Sequence, residues 1–236
     1  MEVIFSYVLT FVLAAVPAII WLIFFLREDT HPEPKRLVAL AFMTGAVASI
    51  PVLGLQILFQ KFVASPLHNF LFLIFGLAVI EEVFKFLAAR ISVGNDPAFD
   101  EPVDAMIYMI TAALGFATIE NLFIVGGELS SLTIASVLTA VSTLGFRFIG
   151  ATLLHSLASG IVGFTWAQGK IKKRVGRYVA VGLVVATLVH AAFNLLVYQF
   201  QDVNMLYPSL FLVCAALFVL KDFDILKVEE ATHPHF

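Results

Sequence analysis

The chain has 236 residues, of which 61% are hydrophobic and 13% charged, with a formal net charge of −3. Soluble domains carry roughly a quarter of their residues as charges, so this composition, with a mean hydropathy of +0.98, excludes an ordinary soluble domain and offers nucleic acid no basic surface. The apolar stretches are continuous, which excludes a β-barrel of strands alternating over about ten residues, and the one cysteine, Cys214, excludes an internal disulfide or a thiolate metal cluster.

Apolar runs occupy residues 3–26, 37–59, 70–89, 103–125, 132–167, 179–200 and 208–220. About 20 such residues cross the ~30 Å hydrocarbon core as a helix. The expected fold class is therefore all-α, a polytopic transmembrane helical bundle of seven to eight membrane segments. It forms one integral domain over 1–236 with a catalytic core over about 70–200. Run 3–26 has no basic leader and is long enough to span, so it reads as the first helix and not as a cleavable signal. Cys214 lies in the last apolar run with no base near it in sequence, which suggests a packing role.

The fifth run is too long for one upright span, reaching ~54 Å at 1.5 Å per residue. The stretch Gly145-Phe146-Arg147-Phe148-Ile149-Gly150 is the expected break. Charge sets the topology. Lys170, Lys172, Lys173, Arg174 and Arg177 make the most basic loop, and Arg27, Lys35 and Arg36 mark another. Both belong in the cytoplasm by the positive-inside rule. They share that side when the N-terminus is outside and the fifth run crosses once, giving seven net crossings.

The third run carries Glu81 and Glu82 after about ten apolar positions, with Lys85 one turn on. A charge at the bilayer centre costs about 3 kcal/mol on insertion scales. Glu81 and Lys85, spaced i,i+4, read as an intrahelical ion pair that leaves Glu82 unpaired. Glu120-Asn121 follows the small-residue stretch Thr111–Thr118, which permits close helix approach. Arg147 and His155 are eight apart and share a face; His190 and Asn194 share one at i,i+4. Four segments thus place polar groups in the middle-to-outer slab of the membrane.

Glu81, Glu82, Glu120, His155 and His190 are the candidate catalytic residues, supported by Lys85, Asn121, Arg147 and Asn194. Histidine and carboxylate ligands with no thiolate suit zinc, with Glu82, Glu120, His155 and His190 as the expected metal set. The His-Glu-x-x-His signature is absent. The same residues could act without metal, a glutamate deprotonating water and Asn194 or Arg147 steadying an oxyanion. A proton- or cation-coupled transporter is the competing class, but it would more often show inverted repeats, and none is found.

Glu81-Glu82-x-x-Lys85, Asp100-Glu101-Pro102-x-Asp104, Gly115-Phe116-Ala117-Thr118-x-Glu120-Asn121, Arg147 with His155, and His190-x-x-x-Asn194 occur in an order that resembles the PrsW family of intramembrane proteases. That family is similar in turn to the CAAX-prenyl proteases and bacteriocin-processing enzymes. Where the family pattern often has glycine after the Asp-Glu-Pro-x-Asp motif, this chain has Ala105. The resemblance implies hydrolysis of a peptide bond of a single-span membrane protein or peptide, in a multi-pass protein of a bacterial or archaeal cell membrane. It also implies a first, outer-side cut in a membrane-bound anti-sigma factor as the substrate type, and a metalloprotease label.

Overall fold

The computed structural model describes residues 2–63, 70–129, 133–200 and 205–232, and every element in them is a helix. These are α1 (Glu2–Phe25), α2 (Lys35–Val63), α3 (Phe70–Val93), α4 (Asp104–Glu128), α5 (Ile134–Arg147), a π-helical turn (Phe148–Thr152), α6 (Leu153–Ile171), α7 (Val175–Phe200) and α8 (Leu206–Thr232). Leu132, the first residue of the fifth apolar run, lies outside the described residues.

Among the described residues, five helical stretches are long and apolar enough to cross a membrane: Ile4–Phe25, Lys35–Lys61, Asp104–Glu128, Ile134–Ile171 and Val175–Phe200. α3 has the length but carries Glu81, Glu82 and Lys85 at its centre. The outward faces are apolar, with Phe5, Ile50, Ile91, Val184 and Phe218 all exposed, as a lipid solvent requires. Cys214 is exposed on α8 among Leu210, Val213 and Leu217 instead of packing in the interior. A thiol behaves as a small hydrophobe, so a lipid-facing position suits it as well as a core one.

α4 is the axis of the bundle. It packs against α1, α2, α3 and α6, and every residue from Asp104 to Thr118 is buried. A helix that is apolar all round has to be enclosed on all sides. Its small residues let α2 approach to backbone contact. A Cβ built on Gly45 would stand 1.9 Å from the Ala112 carbonyl oxygen, and one on Gly115 would stand 1.9 Å from that of Phe42. The two glycines therefore fix a close α2–α4 crossing, as small residues do between membrane helices.

The fifth run does not break at 145–150. α5 starts at a capping box, in which Thr133 Oγ1 accepts from the Ser136 amide and Ser136 Oγ accepts from the Thr133 amide. Its path then widens into the π turn and continues as α6 without interruption. Trp21 of α1 stacks on Phe148 at 5.1 Å, and its Nε1–H donates to the Phe148 carbonyl at 2.8 Å. A side chain that engages a helical carbonyl in this way accommodates the local change of pitch.

One end of the bundle is tied by polar contacts between distant segments. Arg36 pairs with Asp96 at 3.1 Å, Lys227 with Glu28 at 2.8 Å, and Lys170 Nζ donates to the Phe99 carbonyl at 3.3 Å. Asp104 Oδ2 accepts the amides of Asp100 and Glu101 at 3.0 and 2.8 Å. These contacts join the α1–α2 loop, the α3–α4 loop, the end of α6 and the end of α8 at one face.

Candidate active site

Helices α3 to α7, joined by α2 through Gln56, converge on one buried polar cluster. α3 contributes Glu81, Glu82 and Lys85, all buried, and Lys85 and Glu82 are fully so. α4 contributes Glu120 and Asn121, α6 contributes His155, and α7 contributes His190. Arg147, the last residue of α5, reaches in from the side.

Each histidine is held by a carboxylate on one nitrogen and turns the other inward. His190 Nδ1 lies 2.7 Å from Glu82 Oε1, which leaves Nε2 facing Glu81 Oε2 at 3.6 Å. His155 Nε2 lies 2.8 Å from Glu120 Oε2, which leaves Nδ1 3.9 Å from the same Glu81 oxygen. The rings meet edge to face at 5.2 Å. Glu81 Oε2 is buried and has no hydrogen-bond partner among the described residues.

Lys85 does not pair with Glu81. Its Nζ donates to Glu82 Oε1 at 2.5 Å and lies 3.0 Å from His155 Nδ1. Spacings of three and four residues both bring side chains together on a helix, so the tertiary partners decide. Glu81 is taken by Gln56 of α2, whose Nε2 donates to Oε1 at 2.7 Å. Arg147 donates to Glu120 Oε2 at 3.2 Å and to Asn121 Oδ1 at 2.5 Å. Asn121 Nδ2 in turn donates to the Ala14 carbonyl at 3.2 Å, anchoring the cluster to α1. Asn194 lies one turn along α7 from His190, and its side chain takes no part in the bonds described above.

Gln56 is the functional candidate that the sequence analysis missed. An amide within the apolar run 37–59 carries the same desolvation argument as the charged residues, the histidines and the two asparagines. Gln56 also lines a 240 Å³ cavity beside the cluster, together with Ser49, Phe116, Glu120, Phe123 and Arg147. The cavity gives the polar cluster an opening between α2 and α4.

The donor set suits a divalent cation. Glu81, His155 and His190 each offer a ligand atom, and these atoms lie within 4.8 Å of one another. Glu82 and Glu120, also expected among the ligands, lie against the outer nitrogens of the two histidines, an arrangement of the kind that orients metal-bound imidazoles. Three carboxylates face two basic side chains, Lys85 and Arg147, an excess of acidic groups that favours a bound cation. Lys85 competes for the His155 Nδ1 lone pair and would have to keep only its bond to Glu82.

A family model described as PrsW family intramembrane metalloprotease matches residues 33–220, a span that contains every residue of the cluster. The chain is 29% identical over 157 residues to Protease PrsW of Geobacillus kaustophilus (strain HTA426), covering 66% of this chain and 64% of that protein. It is 27% identical over 174 residues to Protease PrsW of Bacillus subtilis (strain 168), covering 72% and 74%. A third relative, Protease PrsW of Clostridioides difficile (strain 630), is 27% identical over 190 residues, covering 78% and 77%. The match thus spans just under two thirds of the Geobacillus protein and about three quarters of the other two. No solved structure matches the chain significantly.

Proposed function

The chain belongs to the PrsW family of intramembrane metalloproteases, and on that footing we propose that it hydrolyses a peptide bond of a membrane-bound protein at the cluster around Glu81. The observation that carries this reading is the buried, unbonded Glu81 Oε2 facing one nitrogen of each histidine.

In the reaction, Glu81 takes a proton from water held between it and the histidines. The hydroxyl oxygen adds to the scissile carbonyl carbon. The C–N bond then breaks, and the proton returns from Glu81 to the leaving amine. General-base catalysis of this kind contributes about 10²–10⁴-fold. Gln56 keeps the carboxylate turned inward, while Glu82 and Glu120 fix the imidazole planes. Arg147 braces Glu120 and edges the cavity through which an unwound substrate segment would enter. A divalent cation, zinc by the ligand chemistry, would be held by Glu81, His155 and His190; it would supply the Lewis acidity that activates water, and Glu81 would then be its ligand in place of the base.

The chain crosses the membrane seven times, with Ile134–Ile171 as one long, wide-turned crossing and the N-terminus outside. The polar contacts that gather the first and third loops, the end of α6 and the end of α8 at one face support this parity. The cluster then lies in the middle-to-outer slab of the plasma membrane of a prokaryote. A single-span protein cut on its outer side, as a membrane-bound anti-sigma factor would be, suits that depth.

Co-expression with a single-span reporter tests the reading. The wild-type chain releases the reporter's soluble domain and the Glu81→Gln chain, equally inserted, does not; full cleavage by Glu81→Gln sinks it. Elemental analysis of the active protein decides the metal. Stoichiometric zinc lost together with activity under a chelator, and both restored by zinc, supports the cation. Activity with well under one metal per chain assigns the proton steps to Glu81 alone.

A further inference from the structure

The tied face of the bundle holds a second histidine–carboxylate group that the proposed reaction does not use. His31 lies in the α1–α2 loop, Glu101 in the α3–α4 loop and Glu230 in the last turn of α8. Glu101 Oε2 and Glu230 Oε1 stand 3.1 and 3.0 Å from one atom, His31 Nδ1. One ligand atom from each of the three lies within 4.8 Å of the others.

Two carboxylates on one nitrogen are more than a single N–H can satisfy with good geometry. The burial sharpens the imbalance. Glu230's side chain is only 9% exposed, and its second oxygen, Oε2, has no hydrogen-bond partner among the described residues. Asp29 is 8% exposed; its Oδ1 accepts the His31 amide at 2.9 Å, while Oδ2 has no partner. Nearby cations are engaged elsewhere: Arg36 with Asp96, Lys227 with Glu28. Buried carboxylate oxygens left without donors in an acidic surround are the condition that a bound cation relieves.

We propose that His31, Glu101 and Glu230 form a divalent-cation site of the zinc class, which ties the α1–α2 loop and the α3–α4 loop to the end of α8. An imidazole with carboxylates suits zinc, whereas calcium and magnesium take all-oxygen shells. The 3.0 and 3.1 Å separations are close to the ~3.3 Å edge of a tetrahedron with ~2.0 Å bonds. His31 is two-thirds exposed, so the ion enters from solvent and leaves a coordination position open to water. The site serves as a clasp: it joins segments 70 and 199 residues apart in sequence from His31, and α8 packs on α6, which carries His155.

The test uses the full-length, tag-free protein in detergent, with zinc itself as the probe. The Glu81→Gln/His190→Ala chain, in which the membrane-embedded group is disabled, should still bind one zinc per chain. Adding His31→Ala or Glu230→Gln should weaken that binding at least tenfold. Zinc should raise the melting temperature of the Glu81→Gln/His190→Ala chain and fail to raise it once His31→Ala is added, a change of an exposed side chain that leaves no core defect. No zinc-dependent rise in that background would overturn the proposal and leave His31 as a proton-sharing bridge. Zinc that survives His31→Ala but leaves with His233→Ala and His235→Ala would overturn it too. Failure here does not touch the assignment of Glu81, because the two groups share no residue.

Discussion

Among the described residues, carboxylates gather around histidine twice, and the two gatherings are built on different terms. Inside the spans, each histidine has its own carboxylate, Glu82 for His190 and Glu120 for His155, and Lys85 and Arg147 are drawn in as counter-charges. At the tied face, one exposed histidine serves two carboxylates, and the cations nearby form separate pairs. The dielectric accounts for the difference. An uncompensated charge inside a membrane costs several kcal/mol, so the inner cluster has to be nearly complete. A surface pair contributes about 0–1 kcal/mol, so the outer one can stay loose.

The comparison can be broken at four places, in order of expected effect. The largest is chemical: Glu81→Gln and His190→Ala should each lower reporter cleavage by about 10²–10⁴-fold without loss of insertion, read by gel and protease accessibility. A small effect from both would mean that the complete cluster is only structural. Next comes the counter-charge. Lys85→Met strands Glu82 in the interior and should destabilise by about 3–5 kcal/mol, measured by denaturant or heat in micelles. Restoration by Lys85→Met/Glu82→Gln would locate the cost in the orphaned carboxylate; an unchanged melting point would dissolve the contrast between the two regions.

Gln56→Leu probes a neutral member of the same cluster. Its hydrogen bond to a carboxylate should contribute about 1.5–3 kcal/mol, so cleavage should fall by roughly tenfold or more while the chain stays folded. Rescue by Gln56→Asn or Gln56→His would point to positioning of Glu81. The smallest effect belongs to the tied face. Arg36→Ala removes the 3.1 Å pair with Asp96 and should cost under about 1 kcal/mol, with cleavage within twofold of wild type.

Much of this was legible in the sequence because membrane burial makes ionisable residues conspicuous. Glu81, Glu82, Glu120, His155 and His190 stood out as interruptions of apolar runs, and the structure brings them together. Their pairing was not legible. Lys85 can reach three or four residues back with similar ease, and the choice of Glu82 depends on Gln56 claiming Glu81 from another helix. The glycines of the α2–α4 crossing were half-visible: the small stretch before Glu120 announced close approach, whereas its match to Gly45 depends on a register that periodicity does not encode. The His31 group left no local trace, since its members are brought together by loop placement and not by helical spacing.

The wide turn at Phe148–Thr152 sets the angular relation between two residues that would otherwise drift apart. At about 100° per residue, eight α-helical steps would swing His155 roughly 80° past the line of Arg147. One residue absorbed in the π turn leaves seven effective steps and a misalignment of only about 20°. Arg147 and His155 can then meet on the same Glu120 oxygen, at 3.2 and 2.8 Å. The turn works like a vernier with a single tooth. Deleting one residue from it would leave a regular helix of seven true steps and the same alignment, whereas a regular helix that kept every residue would swing α5 about 80° out of register with the cluster.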